Sequence, residues 1–284
     1  MSKTSQRLSP RWLIPVVTIF FSHLSTEASA KKTIQQRAAD LEGYIELALP
    51  ESFREPVPLA VLLPGCLSWH PHHERWKDAL LARGYAVLHV DSFAERGLAD
   101  QGTLKRLVCS GAQLHGDERS GDLMAVLETL RERTDIDLTR KVIFGWSHGG
   151  WAALDFLTRI TTGILPPNLS QLPHLDDMKF LAAFIFYPYC GPASLDSRSG
   201  FPTQTRTLLF HGSRDVITDP RECRRRVKAL SRTGATIEFI SMAGSHHWFD
   251  NHAESTTFDA QATARAYVEI EAVLKTVERA SAEP

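Results

Sequence analysis

The sequence predicts an α/β fold with a mainly parallel central sheet and helices on both faces. Three observations carry this. After residue 31, short apolar runs alternate with helical patterns. The runs are apolar at successive positions rather than every second one, as in strands covered on both faces. The helical stretches between them supply the crossovers that parallel strands require.

The runs come in order at 58–64 (PLAVLLP), 85–90 (YAVLHV), 141–144 (KVIF), 180–187 (FLAAFIFY), 207–210 (TLLF) and 236–240 (TIEFI). A helix is expected over 73–83, stopped by Gly84. The next covers 117–133, with Leu123, Leu127 and Leu130 at helical spacing. A third spans 149–161. The fourth, 219–232, opens Asp219-Pro220, an N-cap followed by proline in the first turn. The last, about 258–279, repeats Tyr267, Ile270, Leu274 and Val277 at three and four residues, one buried face. Segments 97–115 and 165–175 lack periodicity. The first is placed to shape a pocket; the second reads as a surface excursion. Asn168-Leu169-Ser170 matches a glycosylation sequon.

Composition supports a folded domain. The 284 residues are 43% hydrophobic and 23% charged, outside the range of disordered or collagen-like chains. With 32 basic against 33 acidic residues and a net charge of −1, no global electrostatic case exists for nucleic acid as a partner. Residues 1–30 read as a signal peptide. Lys3, Arg7 and Arg11 precede the apolar stretch 12–21, and Ala28-Ser29-Ala30 is a small-x-small cleavage pattern. Ten helical residues span about 15 Å, too short for a bilayer, so no stable membrane anchor is expected after cleavage. Residues 31–284 then form the folded domain. Cys66, Cys109, Cys190 and Cys223 all fall within it, and an even count in an exported chain favours two disulfides.

The chemistry is carried by Gly145-Trp146-Ser147-His148-Gly149-Gly150. It follows the apolar run ending at Phe144 and opens a helix, the context of a nucleophile elbow. Ser147 must stand on a tight turn, and bulk at Gly145 or Gly149 would collide with neighbouring backbone. A serine nucleophile needs a base, and the base an orienting carboxylate, in the chain order Ser, Asp, His. Asp215 lies just beyond the run 207–210. Asp219, its competitor, precedes a proline and suits an N-cap better. Either His246 or His247 supplies the base, because adjacent side chains on an extended loop diverge.

The chain resembles the dienelactone hydrolase family of the α/β-hydrolase superfamily. The resemblance runs from about Pro58 to Asp250 and into the last helix. It rests on Leu62-Leu63-Pro64-Gly65-Cys66, Val90-Asp91-Ser92-Phe93 with Arg96-Gly97, the elbow, Tyr187-Pro188, His211-Gly212-Ser213-Arg214-Asp215, and His247-Trp248-Phe249-Asp250. The resemblance implies the α/β-hydrolase fold and selects His247, two residues before Phe249, as the base. It likewise supports Asp215. The chain departs from the family at two places. Ser147 stands where the founding enzymes use cysteine, and Pro64-Gly65-Cys66 where exported relatives often have His-Gly-Cys.

An oxyanion hole is expected from two backbone N–H groups. One belongs to His148, after the nucleophile; the resemblance assigns the other to Cys66. The layout of the resembled fold also implies the pairs Cys66–Cys109 and Cys190–Cys223, each bracing a loop beside the site. His70, His72 and His73 read as a polar loop entering a helix, and no metal or other cofactor is expected. Trp69, Trp146, Trp151 and Trp248 flank the site, as pocket lining or as core. Arg224, Arg225 and Arg226 read as a solvated helix face. The expected activity is hydrolysis of a small-molecule ester or lactone, with oligomeric state left open. The alternatives are a peptidase or thioesterase with the same triad, the first disfavoured by the lack of a propeller-like domain, or a noncatalytic binding protein on this scaffold.

Overall fold

The computed structural model describes residues 31–52, 56–195 and 200–280. The signal expected over 1–30 lies outside them. Among the described residues, seven strands form one sheet in the order β1-β3-β2-β4-β5-β6-β7. They are β1 (Ile45–Ala48), β2 (Val57–Leu63), β3 (Ala86–Val90), β4 (Ile136–Trp146), β5 (Ala182–Phe186), β6 (Arg206–Gly212) and β7 (Ile237–Met242). All neighbours pair parallel except β1, which runs antiparallel to β3 at the edge.

Six strands coincide with the apolar runs. β1 does not, because Ile-Glu-Leu-Ala alternates and is covered on one side only. β4 also starts five residues before Lys141. Its polar first half pairs with the start of β2 before a register shift between Pro58 and Leu59.

Continuous apolarity has the expected consequence. Leu59, Val61 and Leu63 of β2 enter one core layer, while Ala60 and Leu62 enter the other. The first layer is closed by α1 (Ile34–Leu41), α4 (Gly116–Thr129), α5 (His148–Thr162) and α6 (Pro220–Ser231). The second is closed by α2 (Pro71–Ala82) and α7 (Ala260–Ala280), through Trp76, Leu80, Ala266, Ile270 and Leu274. Trp76, Phe144, Phe184, Phe186 and Phe210 pack together there, adding tilted ring contacts to their buried area.

α1 carries a capping box, Thr33 Oγ1 accepting from Gln36 N and Gln36 Oε1 from Thr33 N. The segment 97–115 is not shapeless. α3 (Gln101–Thr103) runs into a π-helical turn, Leu104–Val108, and Phe93, Leu98, Leu104, Val108 and Leu114 form a small core of their own. Asn168 is not displayed for a glycan: its Nδ2 donates to Asp122 Oδ1 at 2.8 Å and to the Glu118 carbonyl at 2.9 Å. Arg224 and Arg225 are exposed, but Arg226 turns inward to Asp155, so the expected solvated face holds for two of the three. Among the described residues, no helix is long and apolar enough to cross a membrane.

Candidate active site

Chain order along the sheet reverses at β2, which has β3 on one side and β4 on the other. Parallel sheets bind ligands at the carboxyl ends of strands beside such a switch point. Leu63, the last residue of β2, lies opposite Gly145 of β4. The turn Pro64-Gly65-Cys66 therefore meets Gly145-Trp146-Ser147. A Cβ on Gly65 would stand 3.4 Å from the Cβ of Ser147.

Ser147 links β4 to α5 with φ 50° and ψ −112°. Such a conformation in a non-glycine residue costs on the order of 1–3 kcal/mol. The surroundings enforce it. A Cβ on Gly149 would lie 1.9 Å from the Leu63 carbonyl oxygen, and one on Gly145 would lie 2.7 Å from the Gly149 carbonyl oxygen. The hydroxyl does not cap α5. It lies 3.0 Å from His247 Nε2.

His247 Nδ1 lies 2.7 Å from Asp215 Oδ2. The Asp215 carboxylate is held in turn. Its Oδ1 accepts from Ile217 N at 2.8 Å and Thr218 N at 3.0 Å, and the Thr218 hydroxyl is 3.0 Å from Oδ2. Burial opposes its charge, but the hydrogen bond and charge of His247 and the Thr218 N–H keep its pKa below the usual 3.8. The partners select the neutral tautomer with Nδ1–H toward Asp215 and Nε2 free to accept from Ser147. Asp219 instead caps α6, accepting from Arg221 N at 2.8 Å. His246 is exposed while His247 is buried.

Four further groups shape the site. Asp250 accepts from Tyr187 Oη at 2.6 Å and Trp146 Nε1 at 2.8 Å. The Tyr187 ring packs on His247, centroids 4.5 Å apart, and burial beside Asp250 keeps its phenol protonated. His148 is buried, and burial with Arg119 nearby pushes its pKa down to about 3, so the ring is neutral. Tyr187 and Asp250 fall in stretches that carry the resemblance, but their roles, like that of Arg119, have no local sequence signal, because each depends on contacts across 29 to 104 positions.

Strain gathers here. The positive-φ non-glycine residues among the described residues are Ser68, Leu114, Ser147, Tyr187 and Trp248. They lie on the connections after β2, β3, β4, β5 and β7 in turn, all at one end of the sheet. Clustering of such outliers is a feature of ligand sites.

Cys66 is bonded to Cys109 and Cys190 to Cys223. The first joins the turn after β2 to the segment after β3; the second joins the segment after β5 to α6. Trp146 and Trp151 are core residues, their Nε1 groups satisfied by Asp250 and Asp155. Trp69 and Trp248 are only half-buried. His72 and His73 are buried rather than solvated, rings 3.8 Å apart, and burial lowers both pKa values, His72 to about 4. The expected polar loop is thus a buried aromatic cluster against Trp146. Among the described residues, no group of three or more His, Cys, Asp or Glu is arranged to hold a metal ion.

The solved structure of a dienelactone hydrolase-like promiscuous phosphotriesterase from metagenomic libraries superposes with a TM-score of 0.63 at 17% identity, over 82% of this chain and 92% of that one. Esterase 2 of Thermogutta terrifontis does so with a TM-score of 0.58 at 15% identity, over 82% and 89%. The chain has the α/β-hydrolase fold. The sequence pattern of the prolyl oligopeptidase family matches residues 71–162 of this chain, from α2 through the elbow and α5. A curated relative, dipeptidyl peptidase family member 1 of Caenorhabditis elegans, is 26% identical over 197 residues, 62% of this chain and 24% of that protein. The chain thus spans about a quarter of that relative's length.

Proposed function

We propose that this chain is an exported serine hydrolase that cleaves a carboxylic ester or lactone through an acyl-enzyme. The carrying observation is the hydrogen-bonded row Ser147–His247–Asp215 at the carboxyl ends of the strands. Ser147 Oγ attacks the substrate carbonyl as His247 Nε2 takes its proton. Asp215 keeps Nδ1 protonated and stabilises the imidazolium that forms. The backbone N–H groups of Cys66 and His148 receive the developing oxyanion, at the positive end of α5. His247 then returns the proton to the leaving alcohol, and water clears the acyl group by the same steps in reverse. Export agrees with residues 1–30 as a removed signal and with two disulfides.

The esterase neighbours support an ester substrate. The match to the prolyl oligopeptidase family favours a second reading, cleavage of a peptide bond by the same residues. Esterase 2 of Thermogutta terrifontis is phosphorylated by paraoxon, which recommends an organophosphorus probe here. The purified protein is assayed on short-acyl p-nitrophenyl esters, lactones and peptide anilides, and labelled with a fluorophosphonate. Ester or lactone turnover and a label on Ser147, both lost in Ser147→Ala, support the proposal. Turnover of anilides alone favours the peptidase. A folded protein that neither labels nor turns over any substrate is a binding protein.

A further inference from the structure

We propose that Arg119 is a positioning residue that sets the distance between the two walls of the oxyanion hole. The inference rests on the hydrolase reading above and concerns the same site. The two N–H groups assigned to the oxyanion belong to separate segments. Cys66 lies on the turn after β2, and His148 opens α5. Stabilisation of an oxyanion requires both donors within about 2.7–3.1 Å of one point, so the two segments must be held in register.

Arg119, on α4, supplies a link from a single nitrogen. Its Nη1 donates to the Pro64 carbonyl oxygen at 2.9 Å and reaches His148 Nδ1 at 3.1 Å. Nη1 carries two hydrogens, so both bonds form at once. Pro64 is two residues before Cys66, and His148 is itself the second donor residue. The ring of His148 is held from its other side, Nε2 donating to the Leu114 carbonyl at 2.8 Å. This bond assigns Nδ1 as the acceptor that Arg119 needs.

The remaining contacts close a ring. Leu114 sits at φ 53° on the segment that carries Cys109, and Cys109 is bonded to Cys66. The path from Cys66 to His148 therefore runs twice, once through Pro64 and Arg119, once through the disulfide and Leu114.

Stability alone is a poor reason for this arginine. Arg119 is 1% exposed, and its Nε and Nη2 make no hydrogen bond among the described residues. A buried guanidinium with unpaired donors is costly, and an apolar residue of similar volume would often be neutral or stabilising. The Phe93 ring, 4.6 Å from the guanidinium carbon, gives it one flat apolar partner. Lysine is a poor replacement, because its ammonium sits on a flexible stem and not on a planar group held against the Phe93 ring, so the bridging nitrogen is no longer fixed between its two acceptors.

The test uses Arg119→Lys, His148→Asn and the double variant, with active sites counted by fluorophosphonate labelling. Misplacement by about 1 Å costs on the order of 10²-fold. Each single variant is thus expected to lose about 10- to 100-fold in kcat per labelled site, with KM within about threefold. The double variant should lose little more than the worse single one, because both remove the same link. The acid limb of the pH–rate profile should not move, since His247 and Asp215 are untouched. Unchanged kcat per labelled site with fewer labelled sites would mean a purely structural role and overturn the proposal. So would additive losses in the double variant, or failure of both single variants to fold. Absence of labelling and turnover in the wild-type protein overturns the hydrolase reading instead, which separates the two failures.

Discussion

His247 Nε2 lies 3.0 Å from Ser147 Oγ, although 100 positions separate the two residues. The sheet makes the meeting possible. Ser147 follows β4 and His247 follows β7, and every strand from β4 to β7 runs the same way, so their carboxyl ends share one edge of the sheet. Trp248 holds a positive φ of 62° directly after the histidine. Asp250 fastens the same loop to Tyr187 and Trp146.

The paired histidines should separate cleanly. His247→Ala is expected to lower the acylation rate by at least about 10³-fold, because the Ser147 proton then has no acceptor. His246→Ala, with an exposed side chain, should retain near wild-type kinetics. Single-turnover kinetics of both variants at one pH are the check. The reverse ranking would remove His247 from the mechanism.

The two aspartates should divide activity from stability. Asp215→Asn keeps the shape but no longer holds Nδ1–H on His247, and a loss of about 10⁴-fold in kcat is expected. Asp219→Ala should leave kcat alone and cost about 1 kcal/mol by uncapping α6. Steady-state rates and urea unfolding of the two variants decide this.

Gly149→Ala should abolish activity and destabilise the fold, because its methyl would lie 1.9 Å from the Leu63 carbonyl oxygen. Neither β2 nor the elbow can retreat without breaking their pairing at Leu63 and Gly145. Gly43→Ala is the control, with nothing among the described residues within 4 Å of the added methyl. Urea unfolding midpoints should fall for the first variant and stay for the second.

Asp122→Asn should cost about 3–5 kcal/mol, the range for breaking a buried ion pair from one side. Asp122 accepts from Arg37 Nε at 2.7 Å and from Arg96 Nη1 at 2.8 Å, in full burial. Burial opposes its charge, yet Arg96 and Arg37 outweigh it and hold the pKa below 3.8. Below that value the unfolded chain takes up the proton first, so the stabilisation is present at neutral pH and fades as pH falls from about 3.8 through the lower folded value. Urea unfolding at pH 6 and pH 3 should show a large gap between wild type and variant at the first and a smaller one at the second.

What could be read directly was local. The elbow is six consecutive residues with a strand before and a helix after, and the steric demand on Gly145 comes from the turn itself, whereas that on Gly149 comes from Leu63 of β2. Unbroken apolar runs declare strands buried on both faces because each residue alternates between two covered sides. The proline after Asp219 marks a helix start whatever surrounds it. The choice between His246 and His247 was not local. It needed a resemblance, since which side chain turns inward depends on Trp248 and on the anchor at Asp250. β1 escaped notice because an edge strand of four alternating residues carries no strong pattern. Arg226 reads as surface in a run of three arginines, and only the packing of α6 against α5 buries it beside Asp155. Arg119 is the extreme case. Its partners Pro64 and His148 lie 55 and 29 positions away, and a hydrogen bond leaves no mark on a sequence until the sheet has brought its ends together.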